Sequence, residues 1–321
     1  MDHAGNVVHH LPGHLTAIGS TGRVLCIDHQ WARWGCSVII DLRQVAAPPW
    51  EEDLLVTARP KGVVDVWSLM RGARCATFET IWDSGGWRGA LVPGEHPMVV
   101  AGAWERYGVC GYDLTGQQLW QDRSRTNIEA VTALTGGRVV ITHLRRATRV
   151  LEAATGEELR TLRGALRVIA LCPELSLAVG GGWCRLLDRS LDPLGSRIST
   201  GLNMVWSAAS DGEHLAINEI GGPLRLLDSD GQERARIAEH FRHILHDPVT
   251  NTWVAVHEPS DGKNSLFRFS NDGELLERRP WDLRVLDTAT MRGGRTLILL
   301  TDEGGQVVNC ADWSVQGLEA T

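Results

Sequence analysis

The stretch that decides the fold is residues 129–162, EAVTALTGGRVVITHLRRATRVLEAATGEELRTL. Three short runs rich in Val, Ile, Leu and Thr lie at 129–134, 138–143 and 148–152, and a fourth run follows a Thr-Gly turn at 157–162. Short β-rich runs bounded by glycine turns predict strands, and no long segment with helical periodicity competes with them. The stretch therefore predicts one sheet of four strands joined by hairpins.

The same unit recurs along the whole chain of 321 residues. Each copy opens with a polar residue before an apolar run, and these openers lie 35 to 42 residues apart: His14, Asp53, Arg88, Glu129, Arg167, Asn203, Arg242 and Arg284. A period near 40 residues with four strands per unit is typical of β-propeller blades. We therefore predict an all-β, single-domain β-propeller over residues 1–321 with eight four-stranded blades. Seven blades, with residues 1–50 partly outside the ring, is the alternative.

A propeller must also close the gap between its last blade and its first. Residues 5–11, GNVVHHL, stand before an inner strand in the same place as the outer strand of the 129–162 unit. We therefore predict that this N-terminal strand completes the final blade, 284–312, as a clasp. The tail at 313–321 is the competing candidate for that place.

Composition restricts the partners and the cellular setting. The net charge of −7 comes from interspersed acidic and basic residues without a Lys/Arg block, so nucleic acid is not an expected partner. The N-terminus lacks a signal-peptide pattern, and no apolar segment approaches the roughly 18 residues of a membrane span. Seven cysteines without a C-x-x-C pair indicate free thiols in a reducing compartment. These features predict a cytoplasmic protein, and the scarcity of lysine beside arginine indicates a GC-rich, bacterial genome.

Several motifs resemble those of known repeat families. The segment Asp113-Leu-Thr-Gly-Gln-Gln-Leu-Trp120 resembles the Asp-x-x-Thr-Gly-x-x-x-Trp docking motif of quinoprotein-like (PQQ-type) repeats, one residue short, and Glu152-Ala-Ala-Thr-Gly156 keeps its Thr-Gly turn. Val64-Asp65-Val66-Trp67 resembles the third strand of a WD40 repeat. The resemblance to the WD40 and quinoprotein-like superfamily implies a rigid disc whose loop faces and central channel bind proteins, peptides or small ligands. Quinoprotein dehydrogenases are exported and often carry adjacent cysteines, which this sequence lacks, so we expect no cofactor.

The polar openers are the best candidates for a ligand site. If each begins an inner strand, all eight side chains lie around one mouth of the central channel. Four are arginines, whose guanidinium forks hold carboxylate or phosphate groups in a bidentate manner. The candidate ligand-binding residues are Arg88, Arg167, Arg242, Arg284, His14, Asp53, Glu129 and Asn203. Pairing of these acids and arginines around a water-filled mouth is the alternative interpretation.

Tryptophan is used more often than the other aromatic residues, with 13 Trp against 4 Phe and 2 Tyr. Trp31, Trp34 and Trp104 fall in predicted loops between second and third strands, and Trp87 and Trp281 precede inner strands. Trp is enriched in binding hot spots because it buries a large surface at low entropic cost. These five are candidate interface residues, with packing between blades as the alternative.

Two functional classes remain open at this stage. The first is a non-catalytic interaction or scaffold module that binds a protein, a peptide or a small acidic ligand at the channel mouth. The second is an enzyme of lyase, hydrolase or isomerase type, with an arginine clamp and Asp53, Glu129 or His14 as acid or base. No metal site is expected, because strand geometry separates His243 from His240 and His246.

Overall fold

The computed structural model describes strands 7–11, 14–18, 24–28 and 38–39 by their backbone. It describes residues 44–82, 87–104, 107–144, 146–164, 166–200, 204–257, 264–301 and 304–318 with their side chains, Pro60 excepted. These residues form antiparallel sheets of four strands each, with only short 3-10 turns at Pro60–Gly62 and Arg292–Gly294. The all-β prediction is therefore confirmed. None of the helical segments in these ranges has the length and apolar character needed to span a membrane.

The strands follow one another in sequence order within each sheet. The N-terminal sheet consists of β1 (Val7–Leu11), β2 (His14–Ile18), β3 (Val24–Asp28) and β4 (Val38–Ile39). Blade 1 consists of β5 (Gln44–Ala46), β6 (Leu54–Ala58), β7 (Val63–Ser68) and β8 (Ala73–Glu79), and blade 2 of β9 (Arg88–Val92), β10 (Met98–Gly102), β11 (Val109–Asp113) and β12 (Gln118–Asp122). Blade 3 consists of β13 (Ile128–Leu134), β14 (Arg138–His143), β15 (Thr148–Glu152) and β16 (Glu158–Leu162), and blade 4 of β17 (Arg167–Ala170), β18 (Ser176–Gly180), β19 (Trp183–Leu187) and β20 (Pro193–Ser199). Blade 5 consists of β21 (Val205–Ser210), β22 (Leu215–Glu219), β23 (Leu224–Leu227) and β24 (Glu233–Ile237). Blade 6 consists of β25 (Phe241–Asp247), β26 (Thr252–His257), β27 (Ser265–Phe269) and β28 (Leu275–Pro280). Blade 7 consists of β29 (Val285–Met291), β30 (Thr296–Thr301), β31 (Gly305–Asn309) and β32 (Val315–Leu318).

Blade 7 packs directly against blade 1. The carboxylate of Asp287 accepts a hydrogen bond from the Val45 N–H at 2.9 Å, and the Gly293 N–H donates to the Pro49 carbonyl at 2.8 Å. One hydrophobic cluster also draws its members from both blades: Val45, Leu55, Trp67, Ala289, Met291, Ile298 and Leu300. The ring therefore closes with seven blades. This is the alternative to the eight that the repeat count favoured, with the sheet of β1–β4 outside the ring.

The predicted N-terminal clasp is replaced by a local hairpin. Strand β1 pairs with β2, and the outer strand of blade 7 is β32, which pairs with β31. Only Pro12 and Gly13 separate β1 from β2 in the sequence. A hairpin costs much less loop-closure entropy than a contact between the two ends of the chain. The C-terminal segment, the competing candidate, closes the last blade.

Blade 1 begins earlier than its opener suggests. Strand β6 pairs with β5 on one side and β7 on the other, so it is a second strand rather than an inner strand. Asp53, directly before β6, therefore lies on the opposite face of the ring from Arg88, which begins the inner strand β9. The Asp53 carboxylate accepts hydrogen bonds from the Ser68 hydroxyl at 2.8 Å and the Met70 N–H at 2.7 Å. Its role is to hold the turn after β7.

The hydrophobic core lies between neighbouring blades. The second strands β10 and β14 are buried on both faces, so their sequences are continuous apolar runs without alternation. Val100 of blade 2 and Val139 of blade 3, for example, share one cluster. The outer strands β20 and β28 are almost wholly exposed. Each blade thus buries its faces only by packing against its neighbours, which explains why the unit is repeated.

The quinoprotein-like motif docks blade 2 onto blade 3. Asp113 accepts hydrogen bonds from the Thr115 hydroxyl and the Gln117 N–H, which shape the turn before β12. The Trp120 indole N–H then donates to the Ala153 carbonyl at 2.7 Å. Its ring lies against Gly156, where φ is +74° and a Cβ atom would meet the indole at 2.6 Å. Trp120 of blade 2 therefore packs against the Thr155-Gly156 turn of blade 3.

The cysteines with described side chains differ in exposure. Cys110, Cys184 and Cys310 are buried, whereas Cys172 is half-buried and Cys75 is exposed. Burial raises the pKa of the Cys110 thiol to about 11 and that of Cys184 to about 12. The buried thiols behave as small apolar core groups, and the accessible thiols are Cys75 and Cys172 among these five residues.

Candidate functional site

The inner strands surround a central channel. Strand β9 contacts β13, β13 contacts β17, β21 contacts β25, and β29 contacts β5. We call the end of the channel where these strands begin the upstream mouth, and the end where they finish the downstream mouth. In β13, β21, β25 and β29 a β-bulge follows the first residue. A bulge re-aims one side chain out of the pleat, and the re-aimed residues are Glu129, Trp206, Arg242 and Leu286.

Charged residues of blades 2, 3 and 4 share the upstream mouth. Arg88 and Arg167 begin their inner strands, and Glu129 occupies the bulge of β13. Burial lowers the pKa of the Arg167 guanidinium, the Glu129 carboxylate raises it, and the Arg88 guanidinium lowers it. Arg167 is therefore within electrostatic reach of both Glu129 and Arg88. Of the predicted openers, Arg88, Glu129 and Arg167 thus lie at the upstream ends of the inner strands of blades 2, 3 and 4.

Blades 6 and 7 supply the other side of the mouth. The Arg242 guanidinium donates to the Val285 carbonyl at 3.0 Å and to the Leu286 carbonyl. Burial raises the pKa of the neighbouring Asp287 carboxyl, against the opposing effects of Arg242, of two backbone N–H groups and of Arg88. Arg88 influences the pKa of both Arg167 and Asp287, so charged groups of blades 2, 4 and 7 lie within electrostatic reach of one another around the channel. Asp287 was not among the residues predicted from the sequence.

Trp206 occupies the position that the sequence analysis assigned to Asn203 in blade 5. It follows the buried Val205 as Arg242 follows the buried Phe241. The Arg167 guanidinium lies over the Trp206 ring, 5.8 Å from its centroid, and donates to the Val205 carbonyl. Such contacts hold a guanidinium by cation–π attraction. If the units are aligned on the buried first residue of each inner strand instead of on a polar opener, Trp206 takes the same place as Arg242.

The remaining predicted ligand residues lie elsewhere or outside the described residues. Arg284 is exposed directly before β29, on the upstream face, two residues before the bulge position of blade 7. Asp53 belongs to the opposite face, as described above. Asn203 and the side chain of His14 lie outside the described residues. Ligand binding by any of the predicted residues stays a prediction.

The candidate interface tryptophans separate into different environments. Trp87 is 2 % exposed, and its indole N–H donates to the Thr80 hydroxyl at 3.0 Å, so it belongs to the core between blades 1 and 2. Trp281 packs against the core cluster of blades 6 and 7. Trp104 is half-buried in the loop between β10 and β11 on the upstream face. Trp31 and Trp34 lie outside the described residues.

Exposed apolar side chains lie on the upstream face. Second strands return to the upstream face, so Tyr107, after β10, and Leu144, after β14, lie on it. Met204 and Trp206 stand at the start of blade 5 on the same face, and all four side chains are exposed. The upstream face therefore combines a charged centre with an apolar and aromatic rim.

A neutral histidine lies inside the channel, below the charged mouth. His243 Nε2 is 2.7 Å from the Thr290 hydroxyl. Burial and, to a smaller extent, the neighbouring Arg242 lower the pKa of His243 to about 4. The imidazole is therefore uncharged at neutral pH, and the charge of the channel is concentrated at its upstream end.

The downstream mouth has a different character. A shallow, solvent-open cavity lies there, between the ends of β17, β21, β25 and β29 and the turn at Pro49 and Trp50. None of its lining residues is an Asp, Glu, Lys or Arg. Within the described ranges, no three His, Cys, Asp or Glu side chains converge to hold a metal ion. Charged side chains are thus found at the upstream mouth and uncharged lining residues at the downstream mouth.

Comparison with known proteins agrees with this architecture. No protein-family model matches the chain, and no curated protein sequence is significantly similar to it. Among solved structures, the chain is similar to the computationally designed protein Ika8, with a TM-score of 0.57 and 17 % identity over 96 % of this chain and 93 % of the designed one. It is also similar to BamB from Moraxella catarrhalis, with a TM-score of 0.58 and 16 % identity over 85 % of this chain and 84 % of BamB. The protein therefore has the fold that its likeness to WD40 and quinoprotein-like repeats implies: an all-β, single-domain, seven-bladed β-propeller.

Proposed function

We propose that the protein is a non-catalytic interaction module that binds an acidic segment of a protein or peptide at the upstream mouth. The observation that carries the proposal is the convergence of Arg88, Arg167 and Arg242 on one mouth, with Trp206 packed on Arg167. Guanidinium groups recognise carboxylates in a bidentate manner, and partial desolvation strengthens that recognition.

Local charge favours an anionic partner even though the whole chain carries a net charge of −7. The three arginines face two acids, Glu129 and Asp287, and burial raises the pKa of Asp287. The mouth is therefore a positive site on an acidic protein. Such a contrast steers an acidic segment toward the mouth and away from the rest of the surface.

The rim supports a protein or peptide partner over a small free anion. Tyr107, Leu144, Met204 and Trp206 are exposed on the same face as the charged centre. A charged centre with aromatic and apolar neighbours can take an acidic side chain and bury the partner's apolar residues beside it. A small carboxylate would leave this rim exposed to water.

The proposal is tested by fluorescence polarisation with a library of fluorescein-labelled nonapeptides. Each peptide with a central Asp or Glu is matched by one with Asn or Gln. We expect selected acidic peptides to bind at least tenfold more tightly than their amide partners, with affinity that falls as salt rises. Arg167→Gln and Arg88→Gln are expected to remove most of that preference.

The matched control is Arg189→Gln. Arg189 is an exposed arginine in the turn after β19, on the downstream face, 3.9 Å from Glu174. This variant removes the same charge from the protein without touching the upstream mouth, so it is expected to bind the peptides as the unmodified protein does. Equal losses from Arg189→Gln and Arg167→Gln, or equal binding of acidic and amide peptides, would refute a site at the mouth.

A further inference from the structure

One sector of the upstream face, over blades 2 and 3, is basic. It is formed by the loops after β10 and β14 and by the connections after β12 and β16. We call the described residues of these segments the basic platform: 103–104, 107–108, 123–127, 144, 146–147, 163–164 and 166. None of these residues is an aspartate or a glutamate, and four are arginines: Arg123, Arg125, Arg146 and Arg163. The platform is therefore a positive surface on a chain whose net charge is −7.

Backbone hydrogen bonds join the segments of the platform. The Asn127 N–H donates to the Trp104 carbonyl at 2.5 Å, and the Leu144 N–H donates to the Asn127 carbonyl at 3.0 Å. The N–H of the first residue of β15 donates to the Gly164 carbonyl at 3.1 Å. The segments are therefore fixed to one another by the protein itself, so little ordering is left for a partner to impose.

The acidic residue that directly precedes the platform is held by a buried partner. The Asp122 carboxylate lies 2.6 Å from the guanidinium of the almost fully buried Arg149, and it accepts a hydrogen bond from the Ser124 N–H at 2.8 Å. Arg123 and Arg146 are exposed, as is Arg163. Since Asp122 is neutralised from below by Arg149, the exposed arginines dominate the charge of the platform.

The opposite sector of the same face has a different charge. The connection after β24, residues 238–240, carries Glu239, and the connection after β28, residues 281–284, carries Asp282 beside Arg284. The two connections of the platform, in contrast, lead directly into the inner strands that present Glu129 and Arg167 at the mouth. Positive charge therefore continues outward from the mouth on one side only, over blades 2 and 3.

We propose that the basic platform binds an extended peptide segment that carries a cluster of acidic residues on one flank of the acidic residue held at the mouth. This inference rests on the proposed function, because the mouth fixes where the segment starts. The four strands of a blade span about 14 Å, and an extended peptide advances about 3.3 Å per residue, so the cluster lies three to five residues from the anchor. Tyr107 and Leu144, exposed on the platform, contact the residues between them.

The test uses fluorescein-labelled peptides with Glu or Gln at the centre and with three Asp or three Asn residues near either the N-terminal or the C-terminal end. Binding is followed by fluorescence polarisation. Because the platform lies on one side of the mouth, we expect Asp on one flank to tighten binding about five- to tenfold over Asn. Asp on the other flank is expected to leave binding unchanged or to weaken it. Exposed ion pairs are individually weak and screened by salt, so the gain requires several of them and falls as salt rises.

The triple variant Arg123→Gln/Arg146→Gln/Arg163→Gln is expected to remove the gain from the acidic flank and to keep the preference for Glu over Gln at the centre. Arg125 is left in place because its guanidinium donates to the Ala147 carbonyl at 3.4 Å and supports the platform. The matched control removes three equally exposed arginines that lie on the downstream face or on the outer strand β28: Arg71→Gln/Arg189→Gln/Arg278→Gln. It is expected to keep both preferences.

The central and flanking positions separate failure of the platform from failure of the mouth. A preference for Glu at the centre without any gain from Asp on either flank would overturn the platform and leave the proposed function standing. A gain from the flank without a preference at the centre would count against the mouth, and with it against a segment anchored there. Equal gains from both flanks, or equal losses in the two triple variants, would reduce the effect to non-specific charge attraction and would also overturn the proposal.

Discussion

Replacing Arg268 by methionine is expected to lower the free energy of unfolding by about 3–5 kcal/mol, because the change leaves a buried carboxylate without its counter-charge. Asp247 is fully buried, and its carboxylate lies 3.4 Å from an Arg268 nitrogen. The arginine itself is 7 % exposed. Methionine matches much of the aliphatic stem, so the loss is mainly electrostatic.

Arg268 also ties blade 6 to blade 7. Its guanidinium donates to the Thr250 hydroxyl at 2.6 Å, the Thr252 hydroxyl at 3.1 Å and the Cys310 carbonyl of blade 7. It lies 4.5 Å from the centroid of the Trp313 ring. Removing the guanidinium therefore takes a donor from the buried Thr252 hydroxyl and the Cys310 carbonyl, and it takes the counter-charge from Asp247.

The measurement is equilibrium unfolding in urea, and the control is Arg278→Met. Arg278 lies on the exposed outer strand β28 of the same blade, so we expect that control to cost under about 1 kcal/mol. The double variant Asp247→Asn/Arg268→Met removes both charges and should be more stable than Arg268→Met alone. A loss for Arg268→Met no larger than for Arg278→Met would show that the pair contributes little.

Related ion pairs recur in other blades. Arg149 and Arg225, like Arg268, lie on third strands and pair with a glutamate on the fourth strand of their own blade, at 3.6 and 2.7 Å. The Arg268–Glu277 distance is 3.5 Å. From the sequence, the abundance of arginine was attributed to genome composition. In these blades, arginine also joins the outer strand to the body of the blade.

The fold could be predicted from the sequence because each blade is a local unit. Strands separated by short turns pair with their neighbours, so a period near 40 residues already contains most of the topology. The blade count depended on a contact between Val45 and Asp287, which are 242 residues apart. No local pattern reports such a contact, and the N-terminal sheet has the strand pattern of a blade although it lies outside the ring.

The mouth was only partly predictable for a related reason. The search for polar openers finds Arg88 and Arg167, which are the first residues of their inner strands, and Glu129 and Arg242, which are the second residues of theirs. In blades 5 and 7 the bulge position is held by Trp206 and Leu286, which look like core residues in the sequence. A one-residue bulge changes which side chain faces the channel, and the sequence carries no direct mark of it.

Replacing Trp87 by alanine is expected to destabilise the protein by about 3–5 kcal/mol, the usual cost of truncating a fully buried tryptophan. The sequence analysis placed Trp87 among the candidate contacts for a partner. In the structure it is 2 % exposed, packs with Val64, Leu91 and other residues of blades 1 and 2, and bonds Thr80. Its ring also fills the space above Gly89 that a Cβ atom would occupy. The loss should appear in urea unfolding.

Trp206→Ala is the matched control, because it removes the same side chain from a site that is 38 % exposed. We expect it to cost under about 1 kcal/mol of stability, as exposed positions usually do, and to weaken binding of acidic peptides by removing the support of Arg167.

Trp87→Phe should recover part of the stability that Trp87→Ala loses, because the phenyl ring refills part of the cavity. If Trp87→Ala instead unfolds at the same urea concentration as the unmodified protein, the ring is not core, and its assignment as an interface residue returns. A loss of stability in Trp87→Ala and a loss of peptide binding in Trp206→Ala would show that Trp87 belongs to the core between the blades and Trp206 to the binding face.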